Sequence, residues 1–347
     1  MAKAIALLSG GLDSTLAVLA VIRQGIEVRA IKFQTPFDSD TGISGQVSSL
    51  KYTSLAGKFG FDVELRRLDD MFIDVVKDPP HGYGKNMNPC IDCRILMLKQ
   101  VKTFMESTGA DFVLTGEVLG QRPMSQRRDM LYHIDREAGV TGLVLRPLSA
   151  KLLKVTLPEE KGVVDRERLF SLSGRSRKPQ MALAAEYGLT GYPPPAGGCL
   201  LTEPNYAYRL RDLLTHKPSP AMKDIELLRL GRHFRFSPFC KIVVGRDKVE
   251  NETIESLWES GDCLLKVEGY GSPLTLITGE ISEQAINIAA SICARYSDAK
   301  TLSGIEVSTF SKGFKSLITV QPAPDEILRE YRIELKKPAR GQIAIAI

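Results

Sequence analysis

Close to the N-terminus a short apolar run, Ala4 to Leu8, breaks into Ser9-Gly10-Gly11-Leu12-Asp13-Ser14 and passes into a helical period from Ser14 to Gln24. The small residues Ser9, Gly10 and Gly11 let the backbone turn sharply, so successive N–H groups and the start of the next helix face one point, which suits an anion. No Gly-Lys-Ser/Thr follows, so the loop is not a Walker A motif, and this argues against hydrolysis or transfer of a terminal phosphate. The hydroxyls of Ser9 and Ser14 and the loop backbone are expected to hold pyrophosphate, with Asp13 orienting the loop or a magnesium ion. The plainer alternative is a Gly-Gly turn capped by Asp13 or Ser14.

Strand-like and helix-like segments alternate after this loop. Glu27 to Phe33 reads as a buried strand, Val47 to Phe59 as a helix, Asp62 to Leu68 as a strand, Cys93 to Thr108 as a helix and Phe112 to Thr115 as a strand. That order predicts an α/β domain, a Rossmann-like parallel sheet covered by helices, with ligands at the carboxyl ends of the strands. The polar stretch His216-Lys-Pro-Ser-Pro220 reads as a linker, so domains are expected at 1–215 and 216–347. Beyond it Cys240 to Gly245, Cys263 to Val267 and Leu274 to Thr278 read as strands and Ser282 to Tyr296 as a helix, giving a smaller α+β domain. With 347 residues, two domains fit the length. The apolar run at the N-terminus is too short for a signal peptide or a membrane span, so a cytoplasmic protein with no membrane partner is expected.

Charge and cysteine placement add chemistry to this frame. Residues 121–180 hold thirteen Lys or Arg against seven Asp or Glu, whereas the whole chain carries only +5. A polyanionic partner or a merely solvated basic face would both produce such a segment. Asn88-Pro89-Cys90-Ile91-Asp92-Cys93 places two thiols at a helix start, where the helix dipole is expected to favour thiolate. Cys199 follows Gly197-Gly198, and three such cysteines fit a 4Fe-4S cluster with one iron open to hydrosulfide. A persulfide relay through a transient disulfide is the rival, and inert or zinc-binding thiols the third reading. Neither His81 nor His133 stands at a zinc-finger spacing. Cys240, Cys263 and Cys293 lie on apolar segments and are expected in the core. In Thr115-Gly116-Glu117-Val118-Leu119-Gly120-Gln121 a glycine after an apolar strand permits close backbone approach, and a carboxylate with an amide suits ribose, magnesium or a uracil edge. An ordinary strand-to-helix turn is the alternative there.

The loop Ser9 to Ser14, the segment Ala30-Ile31-Lys32-Phe33-Gln34-Thr35-Pro36-Phe37, the Thr115 to Gln121 stretch with Ser125-Gln126, and Leu145-Arg146-Pro147-Leu148 together resemble the PP-loop ATP pyrophosphatases, and within them the tRNA 4-thiouridine synthetases. The Asn88-Pro89-Cys90 segment resembles a loop of the 2-thiouridylases, in which a distant second cysteine completes the site. The resemblance implies ATP and magnesium as cofactors, cleavage of ATP to AMP and pyrophosphate, and adenine beside the backbone of Ile31 and Phe33. It implies further that Ser9, Gly10, Gly11, Asp13, Ser14, Gly116, Glu117 and Gln121 line the nucleotide or target base. Asp13, Cys90, Cys93 and Cys199 are the expected catalytic residues, the three cysteines doubling as metal ligands.

The activity implied is ATP-dependent tRNA thiolation, in which a uridine carbonyl oxygen is adenylated and replaced by sulfur from sulfide or a persulfide donor. The partners are then tRNA and that donor, with a homodimer as a further expectation. Arg122, Arg127, Arg128, Arg175, Arg177 and Lys178 are candidate tRNA phosphate contacts, and some are alternatively grips for ATP. The chain starts just before the first strand, so the N-terminal RNA-binding domain of the 4-thiouridine synthetases is not expected. Leu228 to Arg235 and Lys241 to Arg246 are basic and resemble an RNA-associated module of ribosome-rescue proteins. The competing readings are a sulfur transferase or ATP-dependent ligase acting on a small molecule, and a non-catalytic RNA-binding protein.

Overall fold

Ala4, Ile5, Ala6 and Leu7 are all buried, so the first strand is covered on both faces, as a central parallel strand must be. The computed structural model describes residues 2–39, 49–193, 198–311 and 313–334. Two compact units meet in the chain between Leu200 and Leu201, so the helix Pro204–His216 goes with the second unit, upstream of the linker read near 216.

In the first unit the order is β1 (Lys3–Leu7), α1 (Leu12–Ile22), β2 (Glu27–Gln34), α2 (Ser49–Phe59), β3 (Asp62–Arg67), α3 (Asp69–Lys77), α4 (Cys90–Thr108), β4 (Phe112–Thr115), α5 (Arg128–Glu137), β5 (Val144–Leu145), α6 (Leu157–Glu160) and α7 (Lys178–Glu186). All five strands are parallel, in the order β3-β2-β1-β4-β5. The expected start of the second helix at Val47 lies outside the described residues, and α3 is an element that the apolar periodicity does not separate. Because strand order runs outward in both directions from β1, the switch point lies between β1 and β4, and the loops leaving those strands border the ligand crevice. α1 buries Leu12, Leu16, Ala17 and Leu19 in the core that also holds Leu114, Leu145, Leu148 and Leu183, which fixes where its N-terminus points. This is the α/β architecture, a parallel sheet with helices, that the sequence predicts.

The second unit follows with α8 (Pro204–His216), α9 (Met222–Leu227), β6 (Arg232–Ser237), β7 (Cys240–Val244), α10 (Lys248–Ser256), β8 (Cys263–Val267), β9 (Thr275–Gly279), α11 (Glu283–Arg295), β10 (Ile305–Ser311), β11 (Phe314–Val320) and α12 (Asp325–Tyr331). Its sheet is antiparallel, in the order β11-β10-β8-β9-β7-β6. Ala285, Ala289 and Ala290 let α11 lie close against one face, while Leu227, Leu230 and Ile254 cover Val243, Leu264 and Leu276. Cys240, Cys263 and Cys293 are core residues, as expected. Among the described residues no helix is long and apolar enough to cross a membrane.

Candidate ATP and sulfur site

At the turn after β1 the loop is held by its own hydroxyls. Ser9 and Ser14 Oγ atoms lie 3.0 Å apart, the Ser9 amide donates to Ser14 Oγ, and Gly11 N–H donates to Ser9 Oγ. Ser14 Oγ also contacts the Gly11 carbonyl at 3.0 Å. The helix cap is Gly11, with no side-chain capping bond, so neither Asp13 nor Ser14 acts as the cap that a plain turn would call for. Gly10 has φ +76°, and a Cβ there would meet the Tyr52 ring at 2.7 Å, so conformation and space both require glycine. Gly116, first residue after β4, packs on the start of α1, where an added Cβ would stand 2.4 Å from the Ser14 backbone nitrogen. This packing brings the loops after β1 and β4 together at the switch point.

Asp13 stands in the first turn of α1 and accepts from Gln121 Nε2 at 3.0 Å through Oδ2, while its buried Oδ1 has no hydrogen-bond partner. Burial raises its carboxyl above the ordinary range, opposed by the Gln121 hydrogen bond and by Arg177 and Arg122. An orphaned carboxylate oxygen beside an anion loop suits a cation, so Asp13 is the residue here fitted to hold magnesium. Ile31 and Phe33 are buried in β2. The β1 pairing of β2 ends at Leu7–Ile31 with the Leu8 N–H to Ile31 carbonyl bond, leaving Lys32 to Gln34 beyond the end of β1. Phe33 thus pairs with Arg66 of β3 alone, whereas Ile31 is paired on both sides, with Leu7 of β1 and Glu64 of β3.

Glu117 does not face the crevice. It is 2 % exposed and accepts from Arg146 Nε at 2.9 Å and Thr115 Oγ1 at 3.1 Å, and Arg94 Nε lies 3.1 Å from its other oxygen. Burial opposes its ionisation, yet Arg94 and then Arg146 bring the carboxyl below its usual value. Arg146 is held further by a two-pronged bond to Asp135 at 2.7 and 2.9 Å. Arg94 follows Cys93 on α4, so this buried carboxylate ties the nucleotide loop to the cysteine helix. One Glu117 oxygen is thus held by Arg146 and Thr115, while the other lies beside Arg94 without a hydrogen bond.

Cys90 is the first residue of α4, and its Sγ–H donates to Asn88 Oδ1 at 2.9 Å. Cys199 pairs with Asp38 in an isolated bridge, with Ser39 N–H on the Gly198 carbonyl and Leu200 N–H on the Phe37 carbonyl, which docks it on the loop leaving β2. Burial drives the Cys93 thiol from 9.0 up to about 12, against Arg94, and the nearby Cys199, Cys90 and Asp38 add to the rise. Cys90 is also raised, by burial against Arg122 and Arg94. The helix start therefore does not make thiolates here, since the cost of burying charge outweighs the dipole. The three cysteines share one neighbourhood, yet among the described residues no group of three His, Cys, Asp or Glu is gathered to hold a metal ion.

A polar chain that no motif announces lies on the same helix. Asp92 accepts from the His81 amide at 3.1 Å and meets His81 Nδ1 at 2.7 Å, and His81 Nε2 meets His133 Nε2 at 2.8 Å. It pins the loop that precedes Cys90 to α4 and α5. His81 and His133 are 52 positions apart, so only the fold brings them together and no local spacing signals the pair.

In the second unit Arg235 pairs with Asp212 at 2.5 Å, and burial, joined by Arg235, lowers Lys241 to about 7. Arg232, exposed in part, stacks on Tyr296 at 4.2 Å. Basic residues here are thus divided between internal ion pairs and the surface.

Comparison with known proteins agrees with the division into two units. Residues 1–153 match the family described as thiamine biosynthesis protein (ThiI), and residues 231–332 match the NFACT protein RNA binding domain. The chain is 30% identical over 147 residues to a "Probable tRNA sulfurtransferase" of Caldanaerobacter subterraneus subsp. tengcongensis, covering 42% of this chain and 36% of that one. It is 28% identical over 189 residues to the "tRNA-specific 2-thiouridylase MnmA" of Fervidobacterium nodosum, covering 50% and 52%. A solved chain described as "Crystal structure of a 4-thiouridine synthetase - RNA complex with bound ATP" aligns with TM-score 0.34 and 22% identity over 54% of this chain and 52% of its own. The chain thus spans little more than a third of the length of the first relative. Its first unit is similar to the PP-loop domain of ThiI-type tRNA sulfurtransferases, and its second to the NFACT RNA-binding domain.

Proposed function

We propose that this chain thiolates a uridine of tRNA, using ATP to activate the carbonyl oxygen. The observation that carries the reading is the Arg94–Glu117–Arg146 network, which joins the loop beside the Ser9–Ser14 turn to the helix bearing Cys90 and Cys93. In the first half-reaction the uracil carbonyl oxygen attacks the α-phosphorus, the bond to the bridging oxygen breaks, and its electron pair leaves with pyrophosphate. The Ser9–Ser14 backbone stabilises the charge that develops there. Magnesium on Asp13 would neutralise phosphate charge. Sulfur then adds to the same carbon, and AMP departs with the original carbonyl oxygen.

Among the described residues no group of three His, Cys, Asp or Glu is gathered to hold a metal ion, which favours sulfur carried on the thiols themselves over a 4Fe-4S cluster. Cys90 and Cys93 on the start of α4, with Cys199 docked on the loop leaving β2, support a persulfide relay. A donor protein's persulfide charges one cysteine, its terminal sulfur attacks the activated carbon, and a second cysteine frees the thiouridine by forming a disulfide that a dithiol reductant reopens. The match of residues 231–332 to an RNA-binding domain supports tRNA over a small-molecule substrate. The test is mass spectrometry of tRNA nucleosides from cells lacking the protein. Loss of one thionucleoside is expected, and an unchanged thionucleoside profile would remove the reading.

A further inference from the structure

A cavity of about 330 Å³ opens between α5, β5 and the segment that leads to α6, and neither the Ser9–Ser14 turn nor any of the three cysteines contributes to it. Val144, Leu145, Ala150, Leu153 and Val155 give it an apolar wall. Small-molecule sites have volumes of this order and are apolar with a few placed polar groups. The two carboxylates on the wall are already engaged. Asp135 takes the two-pronged bond from Arg146, and Glu159 accepts from Thr156 and from Arg166 Nη1 at 2.6 Å. Two further cations on the wall, Arg136 and Lys154, are exposed and have no carboxylate partner among the described residues. Lys154 is held against Tyr132, its amide donating to Tyr132 Oη at 2.9 Å and its Nζ standing 5.3 Å from the ring centroid. The uncompensated charge around this apolar interior is therefore positive.

Two polar chains run from the same wall to the start of α4. In one, Arg136 Nη2 donates to His133 Nδ1 at 3.0 Å, which leaves the His133 proton on Nε2, facing His81 Nε2 at 2.8 Å. His81 Nδ1 then meets Asp92 Oδ1 at 2.7 Å. In the other, Asp135, Arg146, Glu117 and Arg94 follow one another at 2.7, 2.9 and 3.1 Å. The chains end on Asp92 and Arg94, the two sequence neighbours of Cys93.

We propose that this cavity binds a small carboxylate with an apolar body, its carboxyl group at Arg136 and Lys154, and that occupancy is felt at the cysteine helix. Arg136 is the shared member. A guanidinium drawn to the ligand alters the donor at the outer end of the His133–His81–Asp92 chain, and that chain pins the loop preceding Cys90. An apolar interior with cations only at its edge suits neither the triphosphate of ATP nor a run of RNA phosphates, so the ligand is a third species.

Indole-3-acetate, indole-3-acetamide and tryptamine share one apolar body and differ in charge, and calorimetric titration of the full chain with each reads the site. Indole-3-acetate is expected to bind tightest and tryptamine weakest. Lys154→Gln is expected to weaken indole-3-acetate about fivefold, one exposed charge contact being lost, with the acetamide held within about twofold. Val155 is 48 % exposed, so Val155→Trp puts an indole at the cavity without disturbing the core and is expected to abolish binding of the acetate and the acetamide. Equal affinity for all three probes, or unchanged affinity in Val155→Trp, would overturn the site. Displacement of indole-3-acetate by tRNA, together with weaker tRNA binding in Val155→Trp, would assign the cavity to RNA and overturn the small-molecule reading. For the coupling, saturating indole-3-acetate is expected to raise the rate of Cys90 alkylation by iodoacetamide severalfold in native protein. The rate should not respond in His133→Ala, where native-like acetamide affinity reports an intact cavity. An unresponsive rate in native protein would overturn the coupling. None of these readouts passes through pyrophosphate release or thiouridine formation, so their outcome is separate from that of the tRNA reading.

Discussion

The two halves of the candidate site are built in opposite ways. The Ser9–Ser14 turn is made by residues adjacent in sequence, locked by its own hydroxyls and by two glycines that tolerate no side chain. The cysteine half is assembled from α4 and the segment at Cys199, and its α4 thiols are held protonated by burial. The first half is preorganised for its anion before ligand arrives, whereas the second stands in a resting state that must lose protons to react. Between them lies the buried carboxylate of Glu117.

That asymmetry can be broken at its joint. Glu117→Ala leaves Arg94 and Arg146 without their shared carboxylate and is expected to cost about 3–5 kcal/mol in urea unfolding of the first unit. A loss below about 1 kcal/mol would mean that the two halves are not coupled through it. The protonated state of the cysteine half is sharpened by pH. Cys93 is raised from 9.0 to about 12, so the native state binds its proton more tightly than the unfolded chain. The stability it contributes is present below about pH 9 and is lost as pH rises toward 12, at up to about 1.4 kcal/mol per pH unit. Alkylation of Cys93 should accordingly stay slow at pH 8 and accelerate only in strong alkali, and rapid labelling at pH 8 would contradict the burial argument. On the other side, Gly116→Ala is expected to lower ATP turnover about 100-fold by displacing Ser14, with the cysteine labelling rates unchanged. Ser9→Ala removes one hydroxyl from a locally redundant set and should change stability by only about 1 kcal/mol.

The same contrast explains what the sequence disclosed. The turn is legible because strand, small residues and helix are contiguous, and the parallel order of strands follows from their alternation with helices. Glu117 reads as a ligand contact in sequence because its partners, Arg94 and Arg146, lie on α4 and after β5, distances that no local pattern encodes. The helix dipole at Cys90 is visible, but the burial that outweighs it belongs to tertiary packing. In the second unit the exposed strand β11 draws its conformation from pairing with β10 rather than from an apolar face, so periodicity carries little sign of it.

The central claim is that one half activates the uridine with ATP and the other delivers sulfur to it. The most direct measurement follows tRNA-dependent pyrophosphate release and thiouridine formation together, in native protein and Cys199→Ser, with a persulfide donor and reductant supplied. The account predicts that Cys199→Ser still releases pyrophosphate within severalfold of native while thiouridine formation is lost. Thiouridine formed at the native rate without Cys199, or pyrophosphate released without any dependence on tRNA, would contradict it.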